Sequence, residues 1–132
     1  MPPMIQHHII PGLARPISPS SHAVIVDGWV FMTGQLGRDL DDPDGPLFDG
    51  IASQTAQALR NMDRVLTGLG GSLASLVSVR VFLTEFDRDY AAMNAAYAEF
   101  FPEGRRPART CIGVTGLVKR ALVEIDGIAR VE

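Results

Sequence analysis

The sequence has few of the features that mark a secreted or membrane protein. It contains one cysteine, Cys111, so no intrachain disulfide can form, and no apolar run reaches the ~18 residues that a membrane-spanning helix needs. The N-terminal Met1-Pro2-Pro3-Met4 has neither the basic start nor the apolar core of a secretory signal. We therefore expect a cytoplasmic protein without a membrane partner.

The chain also has neither a net positive charge nor a long basic run. The net charge is −3 at pH 7, Lys119 is the only lysine beside eleven arginines, and no basic run exceeds two residues. Nucleic-acid binders usually carry a basic patch that attracts the phosphate backbone. We therefore expect no nucleic-acid partner.

What remains is the composition of an ordinary globular protein. Hydrophobic residues make up 46% of the 132 residues and charged residues 20%. A chain of this length is close to the usual size of one domain and can bury its own core. The sequence therefore predicts a single domain over residues 1–132.

Local patterns in the first half predict a hairpin, a loop and a helix. Asp27-Gly28 separates two short apolar runs, which is a strong β-hairpin signal. Residues 38–49 are rich in Asp, Gly and Pro and predict a surface loop. Apolar residues then recur at helical spacing from Ile51 to Leu69, and Gly70-Gly71 ends this helix.

Patterns in the second half predict three strands and a second helix. Residues 77–83 alternate as a strand, and a helix follows whose aromatic and apolar stripe faces the core. Two extended segments, 109–114 and 121–131, flank a turn and are expected to pair antiparallel. Residues 4–10 fit at most an edge strand. The order (β)ββαβαββ predicts a two-layer α+β fold with both helices on one face of the sheet.

Alternation also suggests a candidate site on the last two strands. Arg109 and Cys111 share one face of the first segment, and Glu124 lies on the face of the second that opposes Val123 and Ile125. If the helices cover Val123 and Ile125, Arg109 and Glu124 lie together on the open face. Such a pair either binds a carboxylate and handles a proton, or forms an ordinary cross-strand ion pair. From spacing alone the ordinary ion pair is favoured, because such pairs are common and the sequence does not fix the pairing register.

Four stretches, in order and over nearly the whole chain, resemble the Rid family of reactive intermediate deaminases, also called YjgF-like. Arg106-Pro107-Ala108-Arg109-Thr110-Cys111 is similar to the family signature, and the spacing from Arg109 to Glu124 agrees with it. The other three are Ser21-His22-Ala23-Val24 leading to Phe31-Met32-Thr33-Gly34-Gln35, Val81-Phe82-Leu83-Thr84, and residues 93–101.

The resemblance implies a chorismate-mutase-like fold with a mixed sheet, assembled as a homotrimer with ligand sites in the clefts between subunits. It also implies hydrolysis of enamines or imines such as 2-aminoacrylate to 2-keto acids and ammonia, with no cofactor or metal. Arg109 would bind the substrate carboxylate, and the Cys111 backbone would bind its nitrogen. Glu124 would orient the attacking water, Thr33 and the Gly34 amide would line the pocket, and Asn94 would support it.

One position departs from the resemblance. Characterised deaminases of the family carry a tyrosine after the proline that precedes the hairpin, and aligning Pro19 with that proline places Ser20 there. The site would then lack a phenol. A second hypothesis is therefore a non-catalytic trimer that binds a keto acid or another small carboxylate. A third is the ribonuclease role attributed to some relatives, which the acidic net charge disfavours.

Overall fold

The computed structural model describes residues 4–132 and contains two α-helices and two short 3-10 helices (Leu73–Ser75 and Val118–Arg120) beside one six-stranded sheet. The element order confirms the sequence prediction, including the edge strand near the N-terminus. The strands are β1 (Gln6–His8), β2 (Ala23–Val26), β3 (Trp29–Leu36), β4 (Leu76–Leu83), β5 (Ala108–Gly113) and β6 (Val123–Arg130), and the helices are α1 (Ile51–Gly68) and α2 (Phe86–Ala98).

Two predicted chain reversals have the expected backbone. Asp27 and Gly28 join β2 to β3 with φ of 50° and 80°, as a two-residue hairpin of strands with right-handed twist requires. Gly70 takes φ of 86° just after α1, where a residue with a Cβ would be strained. Local sequence chemistry therefore decides both turns.

Strand pairing differs from the prediction at the C-terminal end of the chain. The sheet order is β1-β2-β3-β6-β4-β5, so β4 lies between β5 and β6. β5 pairs parallel with β4, and β6 pairs antiparallel with both β3 and β4. The predicted antiparallel pair of β5 with β6 is therefore wrong. Helix α2 connects two parallel neighbours, β4 and β5, in a βαβ unit.

Both helices lie on one face of the sheet, as predicted. Helix α1 packs on β3, β6 and α2, and α2 contacts β4. Val79, Val81, Val123 and Ile125 point into this layer and are at most 1% exposed. The opposite face carries large exposed side chains, among them Trp29 and Phe31. The helix face therefore supplies the core, and we call the other side the open face.

Buried polar side chains hold the loops that surround the end of β3. The ring of His22, only 1% exposed, accepts from the amide of Ile10 at Nδ1 and donates from Nε2 to the carbonyl of Ala14, both at 2.8 Å. Asn61 on α1 is fully buried and donates from Nδ2 to the carbonyls of Leu36 and Arg38, at 3.0 and 2.8 Å. The Ile10 amide and the carbonyls of Ala14 and Arg38 belong to loop segments and gain a partner from these bonds, whereas the Leu36 carbonyl at the end of β3 also accepts from the Arg38 amide.

Candidate functional site

The predicted site residues fall into two groups on opposite faces of the sheet. Arg109 is in register with Val79 and Cys111 with Val81, and both valines point into the helix layer. Glu124 is in register with Phe82, one position out of phase with Val81, and so belongs to the open face. The expectation that Arg109, Cys111 and Glu124 share the open face is therefore wrong, and Arg109 forms no ion pair with Glu124.

The first group, which we call the Arg109 edge, comprises Arg109 and Cys111 on β5, the last strand of the sheet, and Met93, Asn94 and Tyr97 on α2. The Arg109 guanidinium carbon lies 4.8 Å from the centroid of the Tyr97 ring, and Nη1 is 3.8 Å from the Met93 sulfur. A cation over an aromatic face is attracted by the ring quadrupole. Side chains of helix α2 therefore pack against the Arg109 guanidinium and hold it in place.

Two polar atoms of the Arg109 edge are buried without a partner. Asn94 Oδ1 and Tyr97 Oη make no hydrogen bond within residues 4–132. Burial raises the pKa of the Tyr97 phenol, and the positive charges of Arg109 and Arg106 only partly oppose that shift. Unpaired buried groups are costly, so a ligand or a second chain that bonds them would be favoured here.

The backbone of Cys111 faces away from the sheet. The Val114 amide donates to the Leu83 carbonyl of β4 at 2.9 Å, and backbone direction alternates along a strand. Ile112 therefore directs its amide and carbonyl toward β4, whereas Cys111 directs them outward from the edge. Burial also raises the pKa of the Cys111 thiol, which keeps it protonated and a poor nucleophile.

The second group surrounds Glu124 at the end of β3, and we call it the Glu124 pocket. Its walls include Ile17, Thr33, Gly34, Arg38, Val118 and Glu124, and its volume is about 210 Å³. A β-bulge forms one wall: Met32 pairs with Gly127 and Gln35 with Ile125, so Thr33 and Gly34 both oppose Asp126. Bulges turn a strand and re-aim its side chains.

The environment of Glu124 favours its protonated form. Burial raises the pKa of the Glu124 carboxyl, and the nearby Asp126 charge raises it further. Gly34 leaves the space that this carboxyl occupies, since a Cβ built on Gly34 would overlap with Glu124 Oε2. The Thr33 hydroxyl is bonded within the chain, because Oγ1 donates to the carbonyl of Ser21.

Two residues behave differently from their sequence-based interpretation. Ser20 is exposed, bonds Ser18 through their hydroxyls at 2.7 Å, and is not among the residues that line the Glu124 pocket, although Ile17 and Ser18 are. Arg38 was predicted within a surface loop, yet it is only 7% exposed and lines this pocket. The loop composition around Arg38 gave no signal of its burial, because Asn61 and the Arg15 carbonyl hold it from distant parts of the chain.

No helix within residues 4–132 is long and apolar enough to cross a membrane. The same residues contain no group of three His, Cys, Asp or Glu side chains placed to hold a metal ion.

Known proteins match this chain over nearly its full length. The family model described as Endoribonuclease L-PSP matches residues 12–131. A RutC family protein of Pyrococcus horikoshii is 38% identical over 116 residues, covering 87% of this chain and 89% of its own. A Rid family protein of Yersinia pestis has a similar structure, with 32% identity, a TM-score of 0.85 and coverage of 96% and 100%. TdcF of Escherichia coli, solved with bound serine, has 27% identity, a TM-score of 0.84 and coverage of 95% and 99%.

Proposed function

This chain belongs to the endoribonuclease L-PSP family, which includes the Rid proteins, and from that premise we propose that it is an enamine/imine deaminase. Its substrates are small 2-imino acids such as 2-aminoacrylate and its imine tautomer, which it hydrolyses to 2-keto acids and ammonia. The observation that carries the proposal is the Glu124 pocket, in which a half-buried carboxyl with a raised pKa lies beside a glycine that leaves it room. The serine bound to TdcF is a small amino acid of the same size class.

Imine hydrolysis needs positioning and a proton path more than a strong nucleophile. Water adds to the electrophilic C2 carbon, its proton passes to a base, and the resulting carbinolamine releases ammonia as the carbonyl forms. Glu124 in its ionised form orients the water and accepts the proton, and it then returns a proton to the departing nitrogen. A carboxyl with a raised pKa suits both steps near neutral pH.

Substrate recognition falls to the Arg109 edge. A guanidinium binds a carboxylate through two parallel hydrogen bonds, and Tyr97 and Met93 hold that of Arg109 in place. The outward backbone of Cys111 bonds the substrate nitrogen. Asn94 supports the edge, and the Gly34 amide together with Thr33 lines the opposite side of the substrate.

The two groups act together only if two copies of the chain meet, because within one chain they lie on opposite faces of the sheet. We propose a homotrimer in which the Arg109 edge of one copy closes the Glu124 pocket of the next. The open face supports this assembly: Trp29, Phe31 and Ile112 are 41%, 48% and 46% exposed, and burial of such a surface drives association.

The test couples an amino-acid oxidase, which makes the imine in place, to semicarbazide, which traps it. A deaminase competes with the trap and lowers semicarbazone formation. We expect wild type and Arg105→Ala, an exposed arginine in the preceding loop, to lower it equally. Arg109→Ala should behave like buffer. If wild type also matches buffer for several amino acids, the deaminase proposal is wrong.

A non-catalytic keto-acid-binding protein is the second candidate, favoured by the exposed Ser20 in place of a pocket phenol. It predicts calorimetric binding of pyruvate that Arg109→Ala abolishes, without turnover of any imine. The family name also raises ribonuclease activity. Cleavage of a labelled RNA that Arg109→Ala and Glu124→Gln both abolish would replace the two carboxylate-based proposals.

A further inference from the structure

Arg38 is a buried cation in the Glu124 pocket for which the deaminase mechanism above has no use. The residue is 7% exposed, and Asn61 holds its backbone by donating from Nδ2 to the Arg38 carbonyl at 2.8 Å. Its Nη2 donates to the carbonyl of Arg15 at 2.7 Å. A guanidinium has five N–H donors, so this bond leaves most of them free.

No carboxylate within residues 4–132 forms an ion pair with Arg38. The ion pairs within residues 4–132 join Arg64 to Asp41, Arg80 to Asp126 and Arg88 to Asp89, and none includes Arg38. Burial lowers the pKa of Arg38, but a guanidinium remains ionised at any physiological pH. A buried charge without a counter-ion is costly, so an anion entering the pocket would be stabilised there.

Glu124 does not fill that role, although it lines the same pocket. The pKa of Glu124 is raised by burial and by Asp126, whereas a guanidinium in contact would lower it. Arg38 is therefore available to a ligand. The pocket volume of about 210 Å³ far exceeds the ~30 Å³ that one water occupies, which leaves room for a side-chain carboxylate and its methylene.

We propose that Arg38 binds a second carboxylate of the substrate, so that the preferred substrates are 2-imino dicarboxylic acids. This inference rests on the proposed function, since it assigns Arg109 the carboxylate next to the imine carbon. Arg38 then takes the distal carboxylate from the opposite side of the cleft. Two arginines on two sides of one site discriminate a dicarboxylate from a monocarboxylate, because the latter leaves Arg38 buried without a partner.

A purely structural role makes a different prediction. If Arg38 only ties the N-terminal loop through the Arg15 carbonyl, its replacement weakens turnover of every substrate by the same factor. If it binds the distal carboxylate, its replacement changes the ratio between substrates.

The experiment compares kcat/KM for the imine made from aspartate with that for the imine made from alanine, using the semicarbazide competition. We expect wild type to prefer the aspartate imine. Arg38→Gln should lower this preference about 10- to 100-fold, the size expected for one charge-assisted hydrogen bond. Arg38→Lys should retain part of it. Arg15→Gln removes an exposed charge from the same loop while keeping the carbonyl, and should leave the preference unchanged.

Wild-type turnover without a preference for the aspartate imine would overturn the role of Arg38 and leave the deaminase proposal intact. An equal loss on both imines in Arg38→Gln would also overturn it. If neither imine is hydrolysed, the deaminase proposal fails. Ligand binding measured by calorimetry then tests whether Arg38 binds a distal carboxylate. Tighter binding of 2-oxoglutarate than of pyruvate, lost in Arg38→Gln, would support it, whereas equal or absent binding would refute it.

Discussion

Replacing Gly34 with alanine moves the Glu124 carboxyl without removing it. A Cβ on Gly34 would overlap with Glu124 Oε2 and lie 2.8 Å from Cδ. The obstacle is the end of a flexible side chain, so we expect the carboxyl to rotate away while the fold persists. An off-rotamer side chain costs about 1 kcal/mol, which lowers Tm by a few degrees.

The effect on activity should be much larger than the effect on stability. A displacement of roughly 1 Å in a catalytic group costs on the order of 100-fold in rate, which corresponds to about 2.7 kcal/mol in the activation barrier. We therefore expect kcat/KM in the semicarbazide assay to fall about 100-fold in Gly34→Ala. Thermal unfolding monitored by circular dichroism checks the small change in stability.

Two further variants make this prediction specific. Gly116→Ala is the matched control, because a Cβ there has no atom within 4 Å and Gly116 does not adopt the left-handed conformation, so near wild-type activity is expected. Adding Gly34→Ala to Glu124→Gln should cause little further loss, since both changes act on one carboxyl. A folded Gly34→Ala protein with wild-type kcat/KM, or fully additive losses in the double variant, would show that the Gly34 and Glu124 changes do not act on one carboxyl.

Three other predictions concern pH, assembly and stability. Because burial raises the pKa of Glu124, the folded state binds this proton more tightly than the unfolded state, so the stability that Glu124 contributes is lost as pH rises through the folded pKa. Over the same pH range kcat/KM should rise, because the ionised carboxylate is the form that accepts the proton from water. Glu124→Gln should flatten both pH profiles, and an unchanged activity profile would contradict this. If the proposed homotrimer forms, Phe31→Glu on the open face should shift it to smaller species in light scattering, whereas Ala52→Glu on the outer surface of α1 should not. A trimeric Phe31→Glu protein would contradict the proposed interface. Asn61→Leu leaves the Arg38 carbonyl without a partner, while the Leu36 carbonyl keeps its bond from the Arg38 amide. It should lower the free energy of unfolding by about 1–3 kcal/mol in urea titration, and an unchanged free energy would contradict it.

Each strand's internal alternation was readable from the sequence, but its partner was not. Arg109 and Cys111 do share a face, and Val123 and Ile125 do pack under the helices. A hairpin of β5 with β6 and a βαβ unit of β4 with β5 fit the same alternation, however. The choice depends on α2, which crosses from β4 to β5 and brings them together in parallel.

Local pattern also did not predict which face of β5 points toward the helix layer. Ile112 is apolar and yet 46% exposed, whereas Arg109 points to the helix side. β5 is the last strand of the sheet, so the helix layer covers it only in part, and an arginine there can stack on Tyr97 and still reach the edge. Polarity at an edge strand therefore does not indicate which side faces the core.

The elements, their order, the Asp27-Gly28 hairpin and the family were all predictable from the chain, because they depend on local backbone chemistry and on motifs that are contiguous in the chain. Where these motifs meet depends on the tertiary fold. It placed β4 between Arg109 and Glu124 and buried Arg38 under distant loops. The physical reason is that strand pairing and burial depend on contacts between residues far apart in sequence, which no local pattern specifies.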